Sequence, residues 1–461
     1  MVMAADSRPV KPTTAPRSLP RAVGYLGSTA IVVGTIIGSG IFLVPHEVAQ
    51  NVGSVRSLFL VWVVGGVLAL AGALSLAELG AATPEAGGVY VYLRQAYGRL
   101  FAFIYGWATL LVIETGSIAT LAVAFGIYAA TFLPLTALQQ KLVASAVIAL
   151  LTLVNIAGVR KGAAVQTVFM FAKLLGLAII VGLAFFSSSF VPLAATRPLP
   201  TPETSVSSFG VALIGVLWAY QGWHMLSYAA GEVRDPTRVL PRSYLVGTTI
   251  IVVVYLVANL AYLRVLPLAA LAEHQRVAAV AMQVMAGPWG AAFVSALILC
   301  SIFGALNGNV LGGGRVYFAM ARDGVFFAAV GRVHPKFETP AAALVIQGLW
   351  AIVLAASGSF KQLYTYVIFT GWIFYGAAVL AVIVPRRRQP SLARPYRVLG
   401  YPLMPIAFGL AALAIVANTL AHSPKESLIG LGLVLAGVPI YLLWNRLAAQ
   451  APPQDGQPPS R

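Results

Sequence analysis

The sequence predicts an all-α integral membrane protein of twelve transmembrane helices, ten of them forming a five-plus-five inverted repeat in which helices 1 and 6 are discontinuous. Three observations predict it. Of 461 residues 59% are hydrophobic and only 9% charged, and the mean hydropathy is +0.86, a balance foreign to soluble enzymes. Apolar stretches of about 20 residues, long enough to cross a hydrocarbon core about 30 Å thick, recur along the whole chain. Glycines and polar residues interrupt two of these stretches, Gly34–Phe42 and Leu217–His224, at corresponding places five spans apart.

In chain order, residues 1–20 carry Arg8, Lys11 and Arg17 with Pro9, Pro12, Pro16 and Pro20, and no apolar run. They read as a disordered cytoplasmic tail and not a cleaved signal peptide. Spans follow at 23–50, 56–80, 99–132, 142–158 and 163–186, then at 207–231, 242–264, 287–320, 341–358 and 361–384. The last two lie at 401–421 and 427–447. The implied units are a first repeat over 21–190 (helices 1–5), a second over 205–384 (helices 6–10), helices 11–12 over 398–447, and a cytoplasmic tail over 448–461.

The formal net charge of +17 raises the question of nucleic acid. Its distribution answers it. With both termini cytoplasmic, most Lys and Arg fall in inside connections, among them Arg160, Lys161, Arg234, Arg238, Arg242 and Arg386–Arg388. Charge spread over short loops is topological, so no nucleic-acid partner is expected. Cys300 is the only cysteine and lies within the eighth span, while His46, His224, His274, His334 and His422 match no zinc spacing. Neither a metal nor a cofactor is expected, and the lipid bilayer is the surrounding partner.

In the first span, Gly38-Ser39-Gly40 weakens a helix where an unsatisfied backbone group costs several kcal/mol. A break there would expose carbonyls at the end of one half-helix and amides at the start of the next, a pairing suited to the ammonium and carboxylate of a small zwitterion. For this site alone, Gly34 and Gly38 also read as a GxxxG packing pair. The sixth span repeats the pattern with Trp218, Ala219, Tyr220, Gln221, Gly222, Trp223 and His224 at its middle. Five being odd, it enters from the opposite membrane face, which is what an inverted repeat requires.

Lys173 falls about 15 Å into the fifth span, too deep to snorkel, and its expected partners are carbonyls around Ile36, Ile37 and Gly38. An ammonium there would do the work of a bound sodium ion, so the sequence leans against sodium coupling. A lysine merely facing a polar cavity is the plainer alternative. Glu114, midway along the third span, reads either as a satisfied carboxyl or as part of the permeation path. Trp218 reads as packing or as a lid over the ligand, and His224 as a hydrogen-bond donor, a pH sensor or a satisfied imidazole. Of Asn307 and Asn309, both suited to interhelical hydrogen bonds, Asn307 is the expected lining residue. Glu78, Glu85 and Arg94, and Glu232 with Arg234 and Asp235, are expected to tie helix ends.

Several separated motifs now converge: GTIIGSGIF in the first span, AELGAATPEAGGVYVYLRQAYG at 77–98, the mid-span lysine, WAYQGW followed by GEVRDPTRVLPRS at 218–243, and FGALNGNVLGGGRVYFAMARDG at 303–324. Over roughly residues 20–446 the chain resembles the amino acid–polyamine–organocation superfamily, and within it the L-type amino acid transporter branch. That resemblance implies the LeuT-like fold. It implies a substrate α-carboxylate on the amides of Ser39, Gly40 and Ile41, and an α-amino group on carbonyls of Ile36, Ile37, Trp218 and Ala219. It further implies an aromatic gate at Trp218, the sodium-independent signature at Lys173, and side-chain contacts from Val112 and Ile113. The chain departs from the pattern at His224 (usually Asn), Gln221 (often Gly) and Ala305 (often Ser). No cysteine lies between spans three and four, so no disulfide-linked heavy-chain subunit is expected.

The functional expectation is a transporter in the plasma membrane, or the cytoplasmic membrane of a bacterium. It would move amino acids, preferably neutral ones, by alternating access without sodium, through exchange or proton symport. The alternatives are a polyamine or cationic amino acid carrier, for which Glu114 is the best support, and an intramembrane enzyme. The last would need a nucleophile-base pair or metal cluster, and no HExxH, Gly-x-Ser-x-Gly or facing aspartates occur.

Overall fold

The structure, a computed structural model, describes residues 19–187, 205–358 and 360–450. Most of the two expected tails, and the connection at 188–204, lie outside these. The described chain is helical throughout, with one isolated parallel bridge between Val23 and Val233.

The first apolar segment forms α1 (Tyr25–Ile36) and α2 (Gly40–Asn51), bent by 41° at a three-residue break. There follow α3 (Val55–Ala82), α4 (Val89–Tyr97), α5 (Arg99–Ala108), α6 (Glu114–Ala129), α7 (Ala137–Ile156) and α8 (Val159–Phe186). The second part comprises α9 (Val206–Ala219), α10 (Met225–Tyr228), α11 (Pro236–Val265), α12 (Leu268–Glu273), α13 (Val277–Ala286), α14 (Pro288–Arg322) and α15 (Ala341–Ser357). It continues as α16 (Phe360–Leu380), α17 (Ile383–Arg388), α18 (Leu403–His422), α19 (Pro424–Leu435) and α20 (Gly437–Gln450). Among the described residues nine helices or continuous helix runs are long and apolar enough to span a membrane, or ten if the bent α1–α2 pair counts as one.

Where the helices depart from the sequence expectation, local chemistry explains it. The fourth span begins at Ala137, ahead of residue 142, because Thr136 and Gln139 form a reciprocal capping box. The seventh begins at Pro236, whose missing N–H costs nothing in a first turn. The third span widens into a π turn at Thr109–Ile113, and the Thr115 hydroxyl bonds the Leu110 carbonyl five residues back at 2.6 Å. Helices α4, α12 and α13 are too short to register as spans in the sequence.

Helices α1, α8, α11 and α14 pack around the first break, and α14 also lies along α6 and α7. Small residues permit this approach. Outward faces of α7, α8 and α18 expose Leu153, Val168, Leu175 and Leu413, the apolar surface a hydrocarbon solvent requires.

Candidate functional site

The two interrupted segments touch each other. A Cβ on Gly40 would stand 2.7 Å from Ala219 Cα, so only glycine permits this approach. Gly222, at φ +117°, lies in a left-handed conformation against the backbone of Thr35 and Ile36. Helix α1 ends at Ile36, and the first turn of α2 leaves amides at Gly40 and Ile41 without intrahelical acceptors. Across from them α9 ends at Ala219, and Tyr220–His224 form a turn before α10.

Lys173, fully buried at the middle of α8, donates to the carbonyls of Gly34 (2.8 Å), Ile37 (2.5 Å) and Ser301 (3.0 Å). Of the expected carbonyls only that of Ile37 is its partner. Gly38 is served by the Ser301 hydroxyl, which lies 2.9 Å from its carbonyl oxygen and 3.0 Å from that of Ile37. Ile36 is turned to the other side, where the Tyr255 hydroxyl of α11 reaches both the Ile36 carbonyl (3.1 Å) and the Ala219 carbonyl (2.9 Å). One phenol thus clasps the carbonyl ends of both half-helices. Ser301 and Tyr255 escaped sequence reasoning because nothing local distinguishes them from other polar residues in apolar spans. The seven-residue spacing of Gln166 and Lys173, which places both on one face of α8, was a usable signal for that polar face.

Between the breaks lies a cavity of about 30 Å³ lined by Thr35, Ile36, Gly38, Ser39 and Gly40 of the first break and Trp218, Ala219, Gln221 and Gly222 of the second. Ser117 and Leu121 of α6 and Ala305 and Asn309 of α14 close it. Its size is far below the roughly 300 Å³ of an open ligand pocket, so the walls must part to admit a molecule. None of the lining side chains is charged. Of the sequence-derived candidates, Ile36, Ser39, Gly40, Trp218 and Ala219 line it. Ile37, Ile41, Val112, Ile113, His224 and Asn307 do not. Ile37 faces Lys173, Val112 and Ile113 belong to the π turn, and Asn307 bonds Asn155 (2.9 Å), the Gly162 carbonyl (3.0 Å) and Gln166 (3.0 Å). The expectation that Asn307 would line the cavity ahead of Asn309 is therefore reversed: two residues along a helix are about 200° apart, and the cavity takes the Asn309 face. Trp218 meets Tyr364 edge-on, ring centroids 5.1 Å apart.

His224 instead joins Glu114. Its Nε2 lies 3.1 Å from Glu114 Oε1 and 3.2 Å from the Tyr375 hydroxyl, and Tyr228 donates to the same carboxyl oxygen at 3.2 Å. Tyr105 bonds Tyr228, and Gln221 of the cavity wall donates to Tyr375 at 2.8 Å. Among the described residues no three His, Cys, Asp or Glu side chains are gathered as a metal-binding group.

One end of the bundle is closed by charge. Arg94 bonds Asp323 and, at 3.0 Å, Glu85; Tyr90 donates to Asp323 at 2.8 Å. Burial, and then the Asp323 carboxylate, raise the Tyr90 hydroxyl above its ordinary pKa and keep it a donor. Glu232 pairs bidentately with buried Arg315 of α14 (2.7 and 3.1 Å), so the end of the sixth span is tied to a helix distant in sequence and not through its neighbour Arg234. Glu78 pairs bidentately with Arg386 (2.7 and 2.6 Å) and accepts from the Val398 amide. Backbone bonds between Val23 and the Glu232–Arg234 segment join the start of the first broken span to the end of the second.

A family profile described as amino acid permease matches residues 23–438. The chain is 35% identical over 436 residues to the b(0,+)-type amino acid transporter 1 of Mus musculus, a match that covers 93% of this chain and 88% of that protein. It is 32% identical over 433 residues to the serine/threonine exchanger SteT of Bacillus subtilis (strain 168), covering 93% and 98%. To the large neutral amino acids transporter small subunit 2 of Mus musculus it is 32% identical over 436 residues, covering 92% and 81%.

Proposed function

This chain belongs to the amino acid permease family, and from that premise we propose that it is a secondary transporter that moves neutral amino acids across a cell membrane by alternating access. The observation that carries the reading is the meeting of two helix breaks around a small cavity whose lining side chains are all uncharged. The amides beginning α2 at Ser39, Gly40 and Ile41 suit an α-carboxylate, and the clasped Ala219 carbonyl, with a lone pair left over, suits an α-ammonium beside the Ile36 carbonyl, which already accepts from Tyr255 and the Gly38 amide. Ser117, Asn309 and Gln221 can hydrogen-bond a small neutral side chain, while Trp218 closes over it as the gate. The relatives named for serine and threonine exchange and for large neutral amino acids support the same class.

The long helices, the bent α1–α2 pair, the α9–α10 pair and α15 amount to twelve crossings, with α12–α13 as an extramembrane hairpin. On this reading residues 21–190 and 205–384 are inverted halves, 398–447 the appended pair, and both termini are cytoplasmic. Lys173 holds the first break in place of a sodium ion, so transport is sodium-independent. Exchange is the expected mode, and no disulfide-linked subunit is required. A cationic substrate is disfavoured because Glu114, its best counter-ion, bonds His224 and does not line the cavity.

Reconstitution into liposomes preloaded with serine, alanine or leucine tests this. Counterflow of the labelled amino acid in sodium-free buffer is the expected result. Uptake that requires sodium, or that arginine or putrescine outcompetes, would overturn it.

A further inference from the structure

We infer that Glu114 and His224 together form a proton-binding site, loaded with a single proton and linked to the amino acid cavity through Tyr375 and Gln221. The inference rests on the transporter reading and adds to it a second ligand, the proton, at a place outside the amino acid site.

Both side chains are fully buried, 3.1 Å apart, on elements that belong to different parts of the bundle: Glu114 opens α6 just after the π turn, and His224 ends the turn that breaks the sixth span. A buried carboxylate beside a neutral imidazole carries one net negative charge, and an uncompensated charge in such surroundings costs several kcal/mol. Among the described residues only neutral donors, His224 and the Tyr228 hydroxyl, bond the carboxylate. Among the described residues, no Lys or Arg bonds either member. Tyr105 of α5, Tyr228 of α10, Tyr317 of α14 and Tyr375 of α16 face the pair, and all are neutral phenols. Arg315 of α14 is taken by Glu232, Glu78 of α3 by Arg386, and Lys173 of α8 by carbonyls; Lys141 of α7 bonds the Ala356 carbonyl at the far end, and α15 presents only the amide of Gln347.

One added proton removes the charge. With the Nε2–H···Oε1 bond in place, that proton resides on Glu114 Oε2 or His224 Nδ1, as acid with imidazole or as carboxylate with imidazolium. These are the two atoms of the pair that are buried and without a partner among the described residues. The proton leaves to water when the pair parts, and no other bond is made or broken. Its link to the cavity is short: Gln221 lines the amino acid cavity and donates to Tyr375, whose hydroxyl meets His224. Gly222, between Gln221 and His224, supplies the backbone freedom, so a ligand that shifts the break shifts His224 against Glu114.

The test uses the full-length protein in liposomes with equal pH inside and outside, following counterflow of whichever of serine, alanine or leucine exchanges best. Loss of counterflow altogether would refute the transporter reading and not this one. Where it occurs, the wild-type rate is expected to fall about tenfold or more on an alkaline limb, the loss of one proton. Glu114→Gln, which cannot ionise, is expected to lose that limb whatever its amplitude. A limb retained in Glu114→Gln assigns it to another group, such as Lys173, and overturns the proposal, as does a wild-type profile flat with pH. If Glu114→Gln does not fold, His224→Asn decides: the midpoint must move by about one pH unit or more, and an unmoved midpoint overturns the proposal equally.

Discussion

The Lys173 ammonium lies 2.5 Å from the Ile37 carbonyl and so holds the broken end of the first half-helix from a helix four spans and over a hundred residues later in sequence. Ser301 braces the same carbonyl from α14, which leaves the opposite face of the break, with Ile36, Ser39 and Gly40, free to line the cavity. One short stretch is thus divided into a pinned side and a side that faces the cavity.

Replacing Lys173 by Ala strips charge-assisted bonds from the Gly34, Ile37 and Ser301 carbonyls together; Ile37 keeps the Ser301 hydroxyl, and a buried acceptor left without a partner costs about 1–3 kcal/mol. The expected outcome is a lower Tm in detergent and counterflow reduced at least about tenfold. Wild-type counterflow in Lys173→Ala would remove the lysine from the mechanism.

Gly40→Ala places a methyl 2.7 Å from Ala219 Cα, a clash with backbone that no rotamer change relieves. The two breaks must separate, and transport is expected to fall about tenfold or more while the protein still purifies as a folded monodisperse species. Gly98→Ala, whose added Cβ would meet nothing nearby, is the control for backbone strain alone, since Gly98 has a φ of +91°.

Tyr255→Phe keeps the ring and removes the hydroxyl that clasps Ile36 and Ala219. Loss of a neutral hydrogen bond costs about 1 kcal/mol, so KM should rise about fivefold with a smaller change in maximal rate. An unchanged KM would mean that the clasp plays no part in holding the two carbonyls for the ligand.

Asn309→Ala takes a hydrogen-bonding group from the cavity wall and is expected to weaken serine more than alanine, by about fivefold in relative KM. Asn307→Ala, in the Asn155–Gln166 network, should instead lower Tm and leave that preference unaltered.

Arg315→Met leaves Glu232 buried without its bidentate partner, and breaking such a pair costs about 3–5 kcal/mol. Thermal unfolding should show a marked drop. The double variant Arg315→Met with Glu232→Leu should recover much of it, and failure to recover would argue that the pair also fixes the geometry of α10.

The sequence by itself determined that this chain is a membrane bundle, which spans are interrupted, and that a lysine sits at mid-depth, because apolar length, helix-weakening glycines and the cost of a buried charge are local or one-dimensional properties. It also carried enough separated motifs to identify the family. Which carbonyls Lys173 would take, that Tyr255 would clasp both half-helices, that Asn309 and not Asn307 would face the cavity, and that Glu232 would find Arg315 were decided only by tertiary structure. Each depends on helix rotation and on partners that lie tens to hundreds of residues apart, such as Glu114 and His224 at a separation of 110. A single sequence records the residue types on a helix but not the angle at which packing turns them.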